Sequence, residues 1–256
     1  MKIGIIQGRL TDPAEGHQTT PANWSREFNI CKDLGLSHIE WNIDFKKDRN
    51  NPIFTDPNIK KYRNMISSIC FDTLVTRDTF DEEYFRQKTY FHTEEIIKLG
   101  IDRVTFPLLE AAKIKSKKDA ATIVEIIKNY NQAFPSIKIN LELDCKIKIV
   151  ESVLSELEFC SLTYDTGNLT YSNVDHMLYI DRFFNKIENV HLKDRSATTG
   201  ESFSNFKGDT PFLDIFKDLS SRNYNKIFTL QMARKKGVSE KDLIKKYTEK
   251  FRRMYE

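Results

Sequence analysis

A single-domain (β/α)8 TIM barrel is the fold class this sequence predicts. Eight short apolar, β-branched runs alternate with longer amphipathic stretches from one end of the chain to the other. Strict alternation of this kind calls for a parallel sheet covered by helices. No Pro/Gly/Ser-rich linker divides the 256 residues, a length usual for one such barrel. An open doubly wound sheet would want a glycine-rich turn after the first strand, and IIQGRLTDP at 5–13 is not GxGxxG.

The elements follow in order. Residues 2–6 form the first strand, and 24–34 carry a helical period that stops at Gly35. Strands are expected at 37–41 and 67–71, then a helix over 82–99 closed by Gly100. A fourth strand at 103–106 precedes a helix over 117–130. Strands five and six fall at 138–143 and 161–164, with a helix over 174–184. The seventh strand is 189–192, followed by a helix over 211–219. The eighth strand is 226–230, and the last helix, 239–255, opens on Ser239 and an acidic first turn. Long irregular pieces follow strands 1, 2 and 7, at 9–23, 42–58 and 195–210. Loops after strands lie on the face where barrels build their sites.

Bulk chemistry narrows the function classes. The net charge is only +3, with Lys and Arg spread along the whole chain. That gives no reason to expect nucleic acid or a membrane surface as partner. Cys31, Cys70, Cys145 and Cys160 form no CxxC pair and no zinc-type spacing. MKIGIIQGRL is broken by Gly and Arg before an apolar core develops, so it does not read as a signal peptide. No apolar run approaches the ~20 residues that span a bilayer. A cytoplasmic protein with reduced thiols is expected.

Three polar side chains sit at the ends of consecutive strands: Glu142 in INLELD, Asp165 in SLTYDTGN and His191 in ENVHLKD. Gln231 ends KIFTLQ in the same register. Taken singly, His191 reads as a core histidine, and Glu142 or Asp165 as a cap of the next helix. In register on adjacent strands they read together as a shared site for one divalent cation. Carboxylate and amide oxygens suit a hard cation, and imidazole suits a transition metal, which leaves Mn, Mg, Co or Zn.

The segments QGRL (7–10), GLSHIEW (35–41), LELD (141–144), YDTGN (164–168), VHLKDR (190–195) and LQMAR (230–234) occur in an order that resembles the sugar phosphate isomerase/epimerase family of xylose isomerase-like TIM barrels. The likeness spans essentially residues 1–256. In that family the ligands come from strands 5 to 8 as Glu, Asp, His and Glu. Carried over, this implies Glu142, Asp165, His191 and Gln231 as the metal set. Gln231 departs from the wider family; the subgroup with QGRL near its start also looks to carry Gln in an LQ-x-AR segment. An amide oxygen ligates a metal but cannot serve as a general base near neutral pH.

The resemblance implies isomerisation or epimerisation of a sugar or sugar phosphate through a metal-stabilised enediolate. Glu142 then serves as ligand and base, while Lys193 stabilises the oxyanion or binds a phosphate. The second acid is sought at other strand ends: Glu40, Asp72, Glu110 or Asp194. The catalytic set expected is Glu142, Lys193 and Asp194, and the substrate-binding set is Gln7, Arg9, Glu40, Asp72, Asn168 and Arg195. Each of these has a structural alternative. Arg9 could pair with Asp12 or Glu15, and Glu40 could form an ion pair inside the barrel. Asp72 could cap a helix, and Lys193, Asp194 and Arg195 could pair among themselves. Asn168 could simply hold the DTGN turn. Trp41 reads equally as a sugar-facing wall or a core aromatic, and Lys207–Gly208–Asp209 is a weak phosphate signal.

Two other functions compete with the isomerase reading: a dehydratase or lyase acting on a polyol-derived ketone, and a non-catalytic barrel that binds a metabolite. An apurinic-endonuclease-like phosphodiesterase needs a histidine-rich zinc cluster, whereas His17, His38, His92 and His176 are scattered. The expected partner is a small sugar, with a homodimer allowed for.

Overall fold

A period of two in the strands, with one face apolar and the other polar, builds the molecule. A computed structural model describes residues 1–11, 20–44, 49–76, 80–204, 206–234 and 237–256. Seven parallel strands come first: β1 (Lys2–Ile6), β2 (Ile39–Asn42), β3 (Ile66–Cys70), β4 (Arg103–Leu108), β5 (Lys138–Leu143), β6 (Ser161–Asp165) and β7 (Ile187–Leu192). Two short strands, β8 (Asp194–Arg195) and β9 (Ser202–Phe203), pair antiparallel in the loop after β7. The eighth barrel strand is β10 (Ile227–Leu230), which pairs with β1 from Lys2↔Ile227 to Ile5↔Leu230. The ring closes in the order β1-β10-β7-β6-β5-β4-β3-β2. This is a (β/α)8 barrel.

Around it run α1 (Trp24–Asp33), α2 (Pro52–Thr55), α3 (Glu82–Lys98), α4 (Lys117–Ala133), α5 (Ile147–Glu156), α6 (Thr166–Tyr171), α7 (His176–Phe183), α8 (Phe212–Ser221) and α9 (Glu240–Tyr255). The expected helix stops hold: Gly35 and Gly100 adopt φ of 64° and 77°, a region open to glycine without a Cβ penalty. Three helices were not expected from sequence, the first being α2, a single turn inside the piece at 42–58. The β-branched run Ile147, Ile149, Val150 and Val153 in α5 weakens its helical signature, and α6 is short, grown directly from the DTGN turn.

Outward strand residues pack under the helices. Trp41, Phe106, Tyr164 and Phe228 are fully buried there, against Phe28, Tyr130, Tyr179 and Phe216. Trp41 stacks on Phe28 and its Nε1 donates to Asn51 Oδ1 at 2.8 Å, so it is a core aromatic and not a wall for a ligand. Removing such a ring costs about 3–5 kcal/mol.

Inside the ring the chain is polar, unlike the branched aliphatic layers common in such barrels. His38 Nε2 meets Thr229 Oγ1 at 3.0 Å, and that hydroxyl donates to Asn189 Oδ1 at 2.9 Å. Arg103 Nη1 donates to Asn140 Oδ1 at 2.9 Å. Gly4 is required here, because a Cβ would stand 2.4 Å from the His38 ring. These bonded layers form the floor on which the upper, functional layer rests.

Candidate metal centre

Strand register brings Glu142, Asp165 and His191 together, with Gln231 at the end of the next strand round. Asp165 lies opposite His191 in the β6–β7 ladder, and Glu142 opposite Thr163 one strand further round. Gln231 follows β10, its amide N–H donating to Leu192 O at 2.9 Å. Glu142 Oε2 is 3.6 Å and Asp165 Oδ2 3.9 Å from His191 Nδ1. One ligand atom from each of Glu142, Asp165 and His191 fits within 4.8 Å of the others. Ligands about 2.0–2.2 Å from a common ion stand roughly 3–4 Å apart, so the spacing fits.

Unmet bonding capacity is the sharper test. Asp165 Oδ2, His191 Nδ1 and Gln231 Oε1 are all buried without a hydrogen-bond partner. Leaving a buried polar atom unsatisfied costs about 1–3 kcal/mol. Two of these atoms, on Asp165 and His191, belong to the trio with Glu142 that could hold one ion, so those three residues fit a divalent cation, and Gln231 adds an amide oxygen at the end of the eighth strand.

A supporting layer fixes His191, Asp165 and Glu142. Glu40 is fully buried below the mouth, and its Oε2 meets His191 Nε2 at 2.5 Å. Its Oε1 accepts from Ser68 and Thr105, both at 2.8 Å. A carboxylate at Nε2 keeps one proton there, so Nδ1 is the nitrogen that gives up its proton to an entering ion, the arrangement that orients metal-binding histidines. Glu40 was expected at the substrate; the structure instead commits both its oxygens inside the barrel. Asp165 Oδ1 accepts from Asn168 N at 2.6 Å, which caps α6 and turns Oδ2 toward His191. Asn168 Nδ2 donates to Glu142 Oε1 at 2.9 Å, while its own Oδ1 accepts from Arg195 Nη1 at 2.8 Å. Arg195 also donates to Gly200 O and lies over the Tyr171 ring. Arg195 thus reaches Glu142 through Asn168.

Burial would push Glu40 up, but His191, with Ser68 and Thr105, brings it down to about 2. Burial would lower His191, yet Glu40 and Glu142 raise it to about 9. Burial pushes the Glu142 carboxyl up, opposed by His191 and aided by Asp165. The cluster therefore binds protons avidly, and an ion entering it would release them.

The remaining expected residues are distributed unevenly. Lys193 Nζ stands 3.4 Å from Asn168 Oδ1, at the edge of the cluster. Asp194 pairs with neither Lys193 nor Arg195; its Oδ2 accepts from Gly208 N at 2.9 Å and so pins the loop after β9. That bond also takes the amide offered by the Lys207–Gly208–Asp209 turn, while Asp209 Oδ2 accepts from Ala197 N. Gln7 Oε1 accepts from Asn42 N at 3.2 Å, and its Nε2 is buried without a partner. Arg9 is buried; desolvation, with Arg234 beside it, lowers its guanidinium to about 10. Its expected partners Asp12 and Glu15 lie outside the described residues. Asp72 opens a 3₁₀ turn, Asp72–Thr76, and caps no α-helix.

Sequence reasoning overlooked Asn42. It is fully buried at the end of β2, and neither its Oδ1 nor its Nδ2 has a partner. The signal was available: His38, Glu40 and Asn42 alternate along one strand, so a polar 38 and 40 announce an inward-facing 42.

No protein-family model and no curated protein matches the sequence. Among solved structures, the IolI protein with a binding zinc atom superposes with a TM-score of 0.77 at 13% identity, covering 100% of this chain and 98% of that one. D-psicose 3-epimerase with D-tagatose from Clostridium cellulolyticum H10 gives a TM-score of 0.72 at 14% identity, with full coverage of both chains. The probable 3-DHS dehydratase involved in petrobactin synthesis from Bacillus anthracis gives 0.69 at 14% identity, covering 97% of this chain and 98% of that one. The fold is that of the xylose isomerase-like TIM barrels. No helix among the described residues is long and apolar enough to cross a membrane.

Proposed function

We propose that this protein is a divalent-metal-dependent isomerase or epimerase acting on a sugar or sugar phosphate. The observation that carries the reading is the convergence of Glu142, Asp165 and His191, with Asp165 Oδ2 and His191 Nδ1 buried and unpartnered. Two sugar epimerases among the structural neighbours, and the zinc atom bound by the IolI protein, support it. The ion is one of Mn, Mg, Co or Zn. Its binding would supply Lewis-acid polarisation of a carbonyl and stabilise charge developing on oxygen.

The chain's own residues do the rest. Glu142 takes the proton from the carbon next to the carbonyl, and Asn168 holds its other oxygen so that the carboxylate keeps one orientation. Glu40 fixes the His191 tautomer. Lys193 places a positive charge beside the oxygen that becomes anionic, or takes a substrate phosphate. Arg195 holds Asn168. Gln7, Arg9 and Asn42 line the wall formed by β1 and β2 and bind the hydroxyls or phosphate of the substrate. Gln231, being neutral, leaves the ion one unit more positive than a glutamate would.

A dehydratase is the second reading, favoured by the dehydratase neighbour. Both reactions begin with the same proton abstraction, and product mass separates them, since loss of water means dehydration. The test incubates manganese-loaded protein with ketoses and ketose phosphates in deuterated water. Carbon-bound deuterium should appear with wild type and vanish with Glu142→Gln. Exchange with none of the sugars that bind would leave only a binding role.

A further inference from the structure

With Gln231 unable to move a proton, the site needs a second acid elsewhere. Four strand-end carboxylates compete, and three are ruled out by their surroundings. Glu40 has both oxygens committed to Ser68, Thr105 and His191 inside the ring. Asp194 is held by Gly208 in the loop after β9. Glu110 is exposed at a 3₁₀ turn, with φ of 54°.

Asp72 is left. Asp72 opens the turn just past the end of β3. The buried thiol of Cys70, the last residue of β3, is pushed up by burial and then by the charges of Glu40, Asp72 and Glu142, which places Asp72 at the same mouth. In the closed ring β3 lies directly across from β7, so Asp72 looks over the mouth toward the wall that carries His191 and Lys193. Its side chain is half-buried and makes no hydrogen bond or ion pair with any described residue. The charges that face it are Glu110 after β4, Lys193 after β7, Asp44 after β2 and Arg9 after β1. Burial first, then Glu110 and Asp44, push its carboxyl up to about 6 against Lys193 and Arg9. A carboxyl titrating there holds both protonation states near neutrality, as a proton carrier must.

We propose that Asp72 is the second acid/base of this site, giving a proton to the carbon that Glu142 deprotonates. The assignment rests on the isomerase/epimerase reading and sharpens it toward epimerisation. Glu142 carboxylate takes the proton of the C–H bond next to the carbonyl, and that bond's electron pair becomes the C=C of an enediolate. As the carbonyl re-forms, the pair returns to the same carbon and takes the proton of the Asp72 carboxylic acid. Glu142 is left protonated and Asp72 ionised, and exchange with water resets both. Two carboxylates on different walls favour delivery to the other face of the carbon, which inverts it.

The test uses the full chain loaded with manganese, a panel of ketohexoses and their phosphates beginning with D-tagatose, and deuterated water. Asp72→Asn should still place deuterium in recovered substrate, because Glu142 still works, while kcat for product falls about 10²–10³-fold. KM and bound manganese should stay near wild type. In metal-free wild type, a carbon-13 carboxyl resonance of aspartate should titrate near pH 6 and be missing from Asp72→Asn. Wild-type kcat in Asp72→Asn and Asp72→Ala, or a raised KM with kcat intact, overturns the assignment. So does the absence of that resonance from the wild-type titration, even if neither variant folds. No exchange by wild type with any sugar that binds overturns the isomerase reading itself, and this assignment with it. Exchange lost in Glu142→Gln but kept in Asp72→Asn, with product formation in Asp72→Asn reduced as stated, sustains both.

Discussion

Replacing Glu40 with Gln should weaken metal binding without touching a ligand. Glu40 accepts from Ser68 and Thr105 through Oε1 and faces His191 Nε2 through Oε2 at 2.5 Å. It is ionised, held at about 2. Glutamine keeps the shape, and its carbonyl can still serve Ser68 and Thr105. Its amide, however, presents N–H groups to His191 Nε2, where a donor already sits. The imidazole escapes that clash by moving its proton to Nδ1, the atom 3.6 Å from Glu142 Oε2 and 3.9 Å from Asp165 Oδ2. The lone pair aimed at the ion is then capped. Loss of such an outer carboxylate costs 10–100-fold in metal affinity, or about 1.4–2.7 kcal/mol. Competition against a zinc chelator, followed by calorimetry, measures this directly, with His191→Ala as the reference for loss of a ligand. Wild-type zinc affinity in a folded Glu40→Gln protein would refute the claim that Glu40 sets the His191 tautomer.

Glu27→Ala should destabilise the loop after β1 and leave the metal ligands in place. The Glu27 carboxylate accepts from Gly8 N at 2.8 Å, Leu10 N at 2.9 Å and Thr11 N at 3.1 Å. Stripping three amides of a buried charged acceptor should lower unfolding stability by about 3 kcal/mol in urea titration. In the metal-free protein, Asp72→Asn should raise stability at pH 7–8. The Asp72 pKa is about 6 when folded, above its value of about 4 in the unfolded chain, so its contribution is full below pH 4 and lost as the pH rises through 6. The difference in Tm between the two proteins should therefore close on acidification to pH 4. Saturating zinc should itself stabilise the wild type, by about 2.7 kcal/mol at a hundred times Kd, and chelation should reverse it. His191→Ala should show no such zinc shift in a melting curve.

The fold was legible because strand and helix periods alternate so plainly, and the candidate ligands because four strand ends carry polar residues in register. What escaped notice has physical causes. Helix α5 is rich in β-branched residues, and α6 has only six, so neither offers a clean helical period. Glu40 could be placed on β2 but not in depth: whether an inward carboxylate meets ligand or partner depends on how far down the barrel it sits. Asp194 illustrates the converse. Its neighbours in sequence suggested charge pairing, but its partner is Gly208, fourteen positions away, across a β8–β9 pair too short to show a pattern. Arg195, Asn168 and Glu142 form a chain of contacts across three elements, which no local spacing encodes.

The pairing of β1 with β10 sets an order of events for the growing chain. Lys2 finds its partner in Ile227, about 225 positions later, so β1 waits with one open edge until that segment has been made. Until Ile227–Leu230 arrives, β7 also lacks a neighbour, and two unsatisfied edges of one sheet invite pairing with another copy. The segment that ends this exposure also carries Gln231, and Arg234 just beyond it donates to the carbonyls of Gly8 and Thr11. One short stretch therefore shuts the ring, latches the first loop and delivers the last of the four strand-end groups. An ion held by all four strand-end groups would therefore mark a chain in which β1 and β10 have already met.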